Sequence, residues 1–265
     1  MSFLNLEGKK VLIFGIANRK SVAFHIAKQL QEAGADLICS VFNADQEKVI
    51  NKFFPEAPVY ICNVEDEERM KEQAIEIGEA HGQIYGLVHS IAFANFSEGI
   101  KPFHETLKRD FLQAFDISCF SFISMAGLYK PYMDPNGAML TISISTSRLA
   151  APSYGYMAPI KAALDSSVAF LAKSLSADTK IRVNAVGASL LKTSASAGIP
   201  GYVEPYLFAE KVIPRKEALK TEEVANVGAF LLSPTASGIN AQTVVVDAGM
   251  SINFFDADVV SNAIR

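Results

Sequence analysis

Residues 10–41 read KVLIFGIANRKSVAFHIAKQLQEAGADLICSV and carry the pattern that decides the fold. The apolar run 11–14 is typical of a buried strand, and Gly15 follows it directly. From Ser21 to Gly34 apolar residues recur with the period of one helical face, and residues 37–41 form a second apolar run. The stretch therefore predicts a strand, a helix and a second strand in succession.

The same alternation continues to the end of the chain. Further strands are predicted at residues 59–62, 84–89, 138–142, 181–186 and 243–246, and further helices between the second and third strands and at residues 66–80, 109–128, 154–175 and 221–232. Near-continuous apolar strands that alternate with helices predict a parallel sheet covered on both faces. With right-handed crossovers this gives an α/β fold, a Rossmann-like doubly wound parallel sheet that binds ligands at the carboxyl ends of its strands.

The chain of 265 residues shows no linker, repeat or low-complexity segment, which predicts a single domain spanning residues 1–265. Residues 193–218 are its one long irregular stretch. Long loops in compact domains commonly act as lids. We therefore expect a helical substrate-binding lid there, and the alternative is a helical connection without that role.

Composition limits the classes of partner. The net charge of −4 argues against nucleic acid. Three cysteines without a Cys-x-x-Cys spacing and four histidines without metal-ligand spacing predict a reduced, cytoplasmic protein without a metal. His89, at an expected strand end, is interpreted as structural. We see no signal-peptide segment and expect no stretch able to span a bilayer, so no membrane partner is predicted.

The turn between the first strand and the first helix has features of a phosphate site. Gly15 permits a tight turn, Ser21 can cap the helix or donate to phosphate, and a helix N-terminus suits a pyrophosphate. The three-glycine dinucleotide fingerprint is absent. Residues 42–47 after the second strand contain no Lys or Arg to accept a 2′-phosphate, which favours NADH over NADPH.

Tyr154 and Lys161 form the candidate catalytic pair, in the stretch 152–164 that reads PSYGYMAPIKAAL. On a continuous helix, their separation of seven steps would place both groups on one face. A phenol can stabilise a developing oxyanion, and a nearby ammonium can hold a cofactor and bias the acidity of that phenol. The alternative is a surface Tyr with a solvated Lys.

Several motifs together resemble the bacterial NADH-type enoyl-acyl carrier protein reductases, a divergent branch of the short-chain dehydrogenases, across essentially the whole chain. Short-chain dehydrogenases usually place the Tyr four residues before the Lys, where this chain has Met157. The longer spacing is similar to that of the divergent branch. The other motifs that carry the resemblance are the stretches 6–9 (LEGK), 15–21 (GIANRKS), 62–64 (CNV), 89–94 (HSIAFA) and 246–249 (VDAG).

The resemblance implies hydride transfer from a nicotinamide to the β-carbon of a 2-enoyl thioester on acyl carrier protein or coenzyme A. Tyr154 would stabilise the enolate oxygen, and Lys161 would hold the nicotinamide ribose. It further implies cofactor contacts from Gly15, Ala17, Ser21, Val22, Phe42, Asn63, Val64, Ser90, Ile91, Ala92, Lys161, Leu191 and Thr193. The implied substrate contacts are Phe93, Ala94, Ile144, Tyr154, Met157, Ala195 and Ile199. A homotetramer is implied as well, and a basic docking site for the acidic carrier protein is expected at Lys192, Lys211, Arg215 and Lys216.

The chain departs from the family pattern at the nicotinamide end. Ile144 replaces a second Tyr, and residues 187–193 read GASLLKT in place of SAGPIRT. Leu191 can still offer its backbone to the nicotinamide amide. Pro159 is expected to be tolerated only within the first helical turn, and Tyr156 is an alternative phenol. Another short-chain oxidoreductase with an altered substrate, or a catalytically silent dinucleotide-binding protein, therefore remains an alternative.

Overall fold

The computed structural model describes residues 3–145, 147, 149–151, 154–253 and 255–264. Its strands are β1 (Lys10–Phe14), β2 (Asp36–Val41), β3 (Val59–Ile61), β4 (Ile84–His89), β5 (Met133–Ile144), β6 (Arg182–Ala188) and β7 (Thr243–Val246). The α-helices of the described residues are α1 (Val22–Glu32), α2 (Ala44–Phe53), α3 (Glu67–His81), α4 (Lys108–Phe115), α5 (Ser121–Tyr129), α6 (Met157–Leu175), α7 (Ser194–Ala197), α8 (Val203–Val212), α9 (Thr221–Leu232) and α10 (Ala257–Ala263).

All seven strands form one parallel sheet in the order β3-β2-β1-β4-β5-β6-β7. The chain builds the β1-β2-β3 half first and then crosses to start the other half at β4. The order therefore reverses between β1 and β4, and the carboxyl ends of these two strands flank the crevice in which doubly wound sheets bind ligands. The predicted Rossmann-like doubly wound sheet is confirmed.

Alternate side chains of each strand point to opposite faces of the sheet and pack into two separate hydrophobic cores. Val11 and Ile13 of β1 pack with α1 and α9 on one face, whereas Leu12 and Phe14 pack with α3, α5 and α6 on the other. All four side chains are at most 2% exposed, as expected of a strand buried on both faces. The two layers hold the carboxyl edge of the sheet rigidly, so loops attached to that edge have a fixed base.

Two element boundaries differ from the prediction for local reasons. β5 begins at Met133, because Ile84 pairs with Met133 and Gly86 pairs with Ala138, so the turn-like residues 134–137 form an irregularity inside the strand. The predicted helix 109–128 is interrupted by a π-helical turn, Asp116–Phe120, between α4 and α5. The remaining predicted strands and helices shift by at most a few residues, apart from the start of α6.

By length and composition alone, the helix Lys108–Tyr132 would be able to cross a membrane. The expectation that no stretch meets that criterion is therefore wrong. The apolar character has an ordinary cause in this fold, because Ala114, Phe122, Met125 and Ala126 are fully buried in the core beneath the sheet.

Candidate active site

The predicted site residues follow the carboxyl ends of six strands. Because parallel strands end at one edge of a sheet, residues far apart in the sequence share that edge. The predicted cofactor contacts follow β1 (Gly15, Ala17, Ser21, Val22), β2 (Phe42), β3 (Asn63, Val64), β4 (Ser90, Ile91, Ala92) and β6 (Leu191, Thr193). The predicted substrate contacts follow β4 (Phe93, Ala94), β5 (Ile144, Tyr154, Met157) and β6 (Ala195, Ile199).

Gly15 lets β1 and β4 approach each other at the crevice. Its φ is +98°, and a Cβ atom at this position would collide with the carbonyl oxygen of Ser90. The N–H of Ser90 in turn donates to the Phe14 carbonyl at 3.1 Å. Only glycine meets both demands, so the tight turn predicted after the first strand is present.

Ser21 caps α1 and does not remain free for phosphate. Its Oγ accepts from the Phe24 N–H at 3.4 Å and donates to the Asn18 carbonyl at 2.7 Å. Helix geometry leaves the remaining N–H groups of the first turn without intrahelical acceptors. They lie directly after the β1 turn, where an anionic pyrophosphate would be favoured.

The end of β2 is committed to capping α2. The Asn43 side chain accepts from the N–H groups of Asp45 and Gln46 at 3.1 and 3.0 Å, and Phe42 is 58% exposed. The Asp45 carboxylate pairs with Lys48 at 2.7 Å on the surface. The Asn43 side-chain oxygen and one Asp45 carboxylate oxygen are therefore already bonded within this turn and helix.

A basic groove beside the β1 turn escaped the sequence analysis. Arg19 and Lys20 come from the turn, Lys48 and Lys52 come from α2, and all four line one groove with Asn18 and Ser194. The two segments meet because α1 packs on α2, with the rings of Phe24 and Phe53 5.4 Å apart. Lys48 lies one position beyond the stretch 42–47, whose lack of cations favoured NADH.

Hydroxyl groups hold the loop after β4 at two points. The Ser118 Oγ accepts from the Phe93 N–H at 2.9 Å and donates to the Phe93 carbonyl at 3.2 Å. The Tyr156 Oη does the same at Asn95, at 3.0 and 3.1 Å. Tyr156 is therefore a loop anchor with its hydroxyl fully used, which argues against it as the alternative catalytic phenol. Ser118 lies in the π-helical turn, a structure frequent at functional sites.

Tyr154 lies before α6, not within it. The helix begins at Met157, and Gly155 with a φ of +56° turns the chain between Tyr154 and the helix. The predicted helix start at residue 154 is therefore wrong, and the turn, not a shared helical face, sets the position of the phenol. Pro159 falls in the first turn of α6, where it is tolerated.

Lys161 is a buried cation, which excludes the alternative of a solvated surface lysine. Its side chain is 4% exposed, and the ammonium donates one of its three N–H groups to the Ile142 carbonyl of β5 at 2.7 Å. Burial lowers the pKa of Lys161 to about 8, against the smaller opposing effects of Cys119 and Asp165. Burial is also the main cause that raises the pKa of Tyr154 above its usual range, with nearby Tyr202 adding to it. Tyr154 is therefore a neutral donor at neutral pH.

His89 serves the scaffold. Its ring lies between the Thr141 Oγ1 and the Ser121 Oγ, each at 2.9 Å, and it is fully buried. Because Ser121 donates to the Ile117 carbonyl at 2.7 Å, its oxygen accepts from the Nε2–H of the histidine. Burial lowers the pKa of His89 to about 3, so the ring stays neutral. This agrees with its interpretation as structural.

Ser143 supplies a test of whether a dinucleotide fits this edge. Its Oγ is buried and has no hydrogen-bond partner among the described residues. A buried hydroxyl without a partner costs free energy unless a ligand or water satisfies it. Ser143 follows Ile142, the residue that holds Lys161. An unsatisfied hydroxyl one residue after the carbonyl that binds the Lys161 ammonium fits the hydroxyl-rich ribose of a dinucleotide.

The stretch 193–218 is largely helical and contains α7 and α8. Thr193 caps α7, accepting from the Ser196 N–H at 3.2 Å. The Tyr202 Oη accepts from the Leu191 N–H and donates to the Leu191 carbonyl, both at 2.9 Å. These tertiary bonds tie the stretch to the segment after β6.

Two of the four predicted docking cations are already paired. Arg215 binds Glu223 through two contacts of 2.6 and 2.7 Å, and Lys216 binds Asp256 at 2.8 Å. Lys192 and Lys211 are exposed. A basic docking surface near the lid would therefore depend on Lys192 and Lys211 more than on the other two.

The chain is similar to known proteins over most of its length. The family model described as "Enoyl-(Acyl carrier protein) reductase" matches residues 15–251. An NADH-type enoyl-[acyl-carrier-protein] reductase of Nostoc sp. is 37% identical over 94% of this chain and 98% of the relative. An NADPH-type reductase of Staphylococcus aureus is 35% identical over 93% of this chain and 98% of the relative. The crystal structure of the NADH-type reductase from Aquifex aeolicus superposes with a TM-score of 0.88 at 34% identity, covering 93% of this chain and 98% of that one.

Proposed function

The chain belongs to the enoyl-(acyl carrier protein) reductase family, and we propose that it reduces the 2,3 double bond of a trans-2-enoyl group on acyl carrier protein. It is an oxidoreductase of fatty acid biosynthesis that uses NADH or NADPH. The observation that supports this most directly is the buried ammonium of Lys161 beside the carboxyl end of β5. Burying a cation is costly, and a silent scaffold would have no need of it.

The cofactor, when bound, would supply the hydride to the β-carbon, and a proton from solvent would complete the reduction at the α-carbon. The proposed part of the β1 turn and the first N–H groups of α1 is to bind the pyrophosphate, with Lys161 and Ser143 orienting the nicotinamide ribose. Tyr154 would donate its hydroxyl proton as a hydrogen bond to the thioester carbonyl oxygen, which stabilises the charge that develops there. Lid residues Ala195 and Ile199, with Phe93, Ala94 and Ile144, would cover the acyl chain and exclude water, and Met157 would support them from the core.

We propose NADH as the preferred reductant, because residues 42–47 after β2 offer no cation to a 2′-phosphate. The basic groove of Arg19, Lys20, Lys48 and Lys52 is the structural argument for NADPH. A phosphate there would have to compete with Asp45 for Lys48. The first argument predicts a higher kcat/KM with NADH, and the second predicts a higher kcat/KM with NADPH.

The deciding assay follows the loss of reduced-cofactor absorbance with trans-2-enoyl-acyl carrier protein, using NADH and NADPH in parallel. We expect turnover with both NADH and NADPH, and a higher kcat/KM with NADH. Coenzyme A thioesters, the second proposed carrier, should react with a higher KM because they lack the protein surface that Lys192 and Lys211 would meet. No turnover on any enoyl thioester would contradict the proposed function. A higher kcat/KM with NADPH would contradict the preference and direct attention to the basic groove.

The ionisation of Lys161 predicts how NADH binding depends on pH. With a pKa of about 8, the ammonium is present below that pH and is lost as the pH rises through it. The dissociation constant of NADH should therefore rise roughly tenfold from pH 7 to pH 9, the worth of one charge-assisted hydrogen bond. Two groups near Lys161 have shifted pKa values of their own. Burial lowers the pKa of His89 to about 3, far below this pH range, and raises the pKa of the Cys119 thiol.

The control is Lys161→Met, which keeps the length of the side chain and removes its charge. This variant should bind NADH weakly, with an affinity that does not change between pH 7 and pH 9. Fluorescence titration measures both proteins. An equal pH dependence in the two would show that another group is responsible.

We further propose a homotetramer built partly from α4, α5 and α6. The outer faces of this helical layer leave Leu112, Phe120 and Phe170 between 43 and 77% exposed, which is typical of surfaces covered by a second subunit. Light scattering that returned the mass of a monomer would contradict this assembly. A cytoplasmic location is supported by the three cysteines, all of them free and buried, and cell fractionation tests it.

A further inference from the structure

Tyr202 uses both hydrogen-bonding functions of its hydroxyl on a single backbone residue. The oxygen accepts from the Leu191 N–H and the proton goes to the Leu191 carbonyl, each at 2.9 Å. Burial raises the pKa of Tyr202 to about 12, so the hydroxyl stays neutral and keeps its donor and its acceptor. The contact joins the start of α8 to the segment that follows β6.

The same two groups of Leu191 are those that a primary amide would use. A carboxamide has N–H donors and one carbonyl acceptor, as the phenol has one donor and one acceptor. Leu191 has a single backbone N–H, and that proton serves one good acceptor at a time. A phenol and a carboxamide therefore cannot both take the Leu191 N–H.

We propose that Tyr202 competes with the nicotinamide carboxamide for the backbone of Leu191, so that binding of the nicotinamide releases this phenol and loosens the lid helix α8. The proposal rests on the proposed function and on the expectation, implied by the family resemblance, that the Leu191 backbone meets the nicotinamide carboxamide. It makes Tyr202 a residue that lowers cofactor affinity and couples the lid to the nicotinamide.

The surroundings of Tyr202 allow the phenol to leave. Gly201 has a φ of +69°, and a Cβ atom there would meet no heavy atom within 4 Å, so the chain next to Tyr202 has open space. Tyr202 is only half-buried, and its own backbone is outside the regular part of α8. In this structure the phenol lies close enough to Tyr154 to raise its pKa, an effect smaller than that of burial.

The test compares Tyr202→Phe with the wild-type protein in the binding of NADH and of ADP-ribose, which lacks the nicotinamide. The variant keeps the ring and loses the competing hydroxyl, so NADH should bind roughly five- to tenfold more tightly, the worth of about one net hydrogen bond. Binding of ADP-ribose should not change. Tyr206→Phe is the matched control, because Tyr206 lies on the same helix and makes no hydrogen bond with Leu191 among the described residues; it should change neither affinity.

Unchanged or weaker NADH binding by Tyr202→Phe, with ADP-ribose binding intact, would overturn the competition and leave the dinucleotide site standing. If the wild-type protein bound neither ligand, the proposed cofactor site itself would fall, and this inference with it. The two failures are therefore distinguishable.

Hydrogen exchange of the wild-type protein provides a second measurement that needs no variant. NADH should speed the exchange of amides in α8, whereas ADP-ribose should not, because only the nicotinamide displaces Tyr202. The same exchange rates in α8 with both ligands would contradict the release of the phenol.

Discussion

Replacing Tyr154 by Phe is expected to lower kcat with trans-2-enoyl-acyl carrier protein by roughly 100- to 1,000-fold, the effect of removing one oxyanion donor. The phenol is half-buried near Tyr202, and its raised pKa keeps the proton that the developing enolate oxygen would accept. The ring remains in the variant, so the turn before α6 should keep its shape. Because the lost bond forms chiefly in the transition state, NADH affinity should stay within about twofold.

Steady-state kinetics with fluorescence titration of NADH separates these effects. Tyr156→Phe is the informative comparison, since its hydroxyl binds the backbone of Asn95 and holds the loop after β4. We expect that variant to lose several-fold in KM with a smaller change in kcat. If Tyr156→Phe showed the large loss of kcat and Tyr154→Phe remained active, the two phenols would exchange roles and the proposed mechanism would fail.

Replacing Arg182 by Met is expected to lower the free energy of unfolding by about 2–4 kcal/mol, because it removes buried hydrogen bonds from a charged donor, each of which contributes about 1.5–3 kcal/mol. The guanidinium is 7% exposed at the start of β6. It donates to four backbone carbonyls at the end of α9 and beyond it: Leu231 at 2.8 Å, Ser233 at 2.9 Å, Ile239 at 3.2 Å and Leu232 at 3.3 Å. Methionine fills similar space but leaves these acceptors without donors.

Urea denaturation measures the difference. Arg69→Met serves as the control, because Arg69 forms a bidentate, solvent-exposed ion pair with Glu76 at 2.9 and 3.0 Å. Exposed ion pairs contribute about 0–1 kcal/mol, so this variant should be nearly as stable as the wild-type protein. Equal losses in both variants would mean that burial of the Arg182 carbonyl contacts is not the cause.

The regular elements follow from sequence where one pattern decides them. Residues 84–89, 221–232 and 243–246 were predicted with the bounds that the structure shows, since each is a short apolar run or a capped helical period. The start of α6 was wrong because Gly155 takes a positive φ, a choice that the apolar pattern does not encode. The early start of β5 was hidden by Pro135 and Gly137, which read as a turn.

The sequence predicted which edge of the sheet carries the site, but not which side chains contact each other there. The topology alone brings the strand ends together, and the resemblance named the residues that follow them. The contacts of Ser118, Tyr156 and Tyr202 span 25, 61 and 11 residues of sequence. Such contacts exist only once the tertiary structure is formed, and no local periodicity signals them. The groove cations were likewise joined by the packing of α1 on α2.

The hydroxyl contacts Ser118–Phe93, Tyr156–Asn95 and Tyr202–Leu191 have a consequence for the local opening of the structure. Each joins a site loop to the body of the protein through one oxygen atom and two hydrogen bonds. Releasing one of these contacts then costs about 1–3 kcal/mol, far less than unfolding the sheet. The loops are thus separate low-energy units on a rigid base. Local release of these contacts would let ligands enter and leave while the seven strands remain paired.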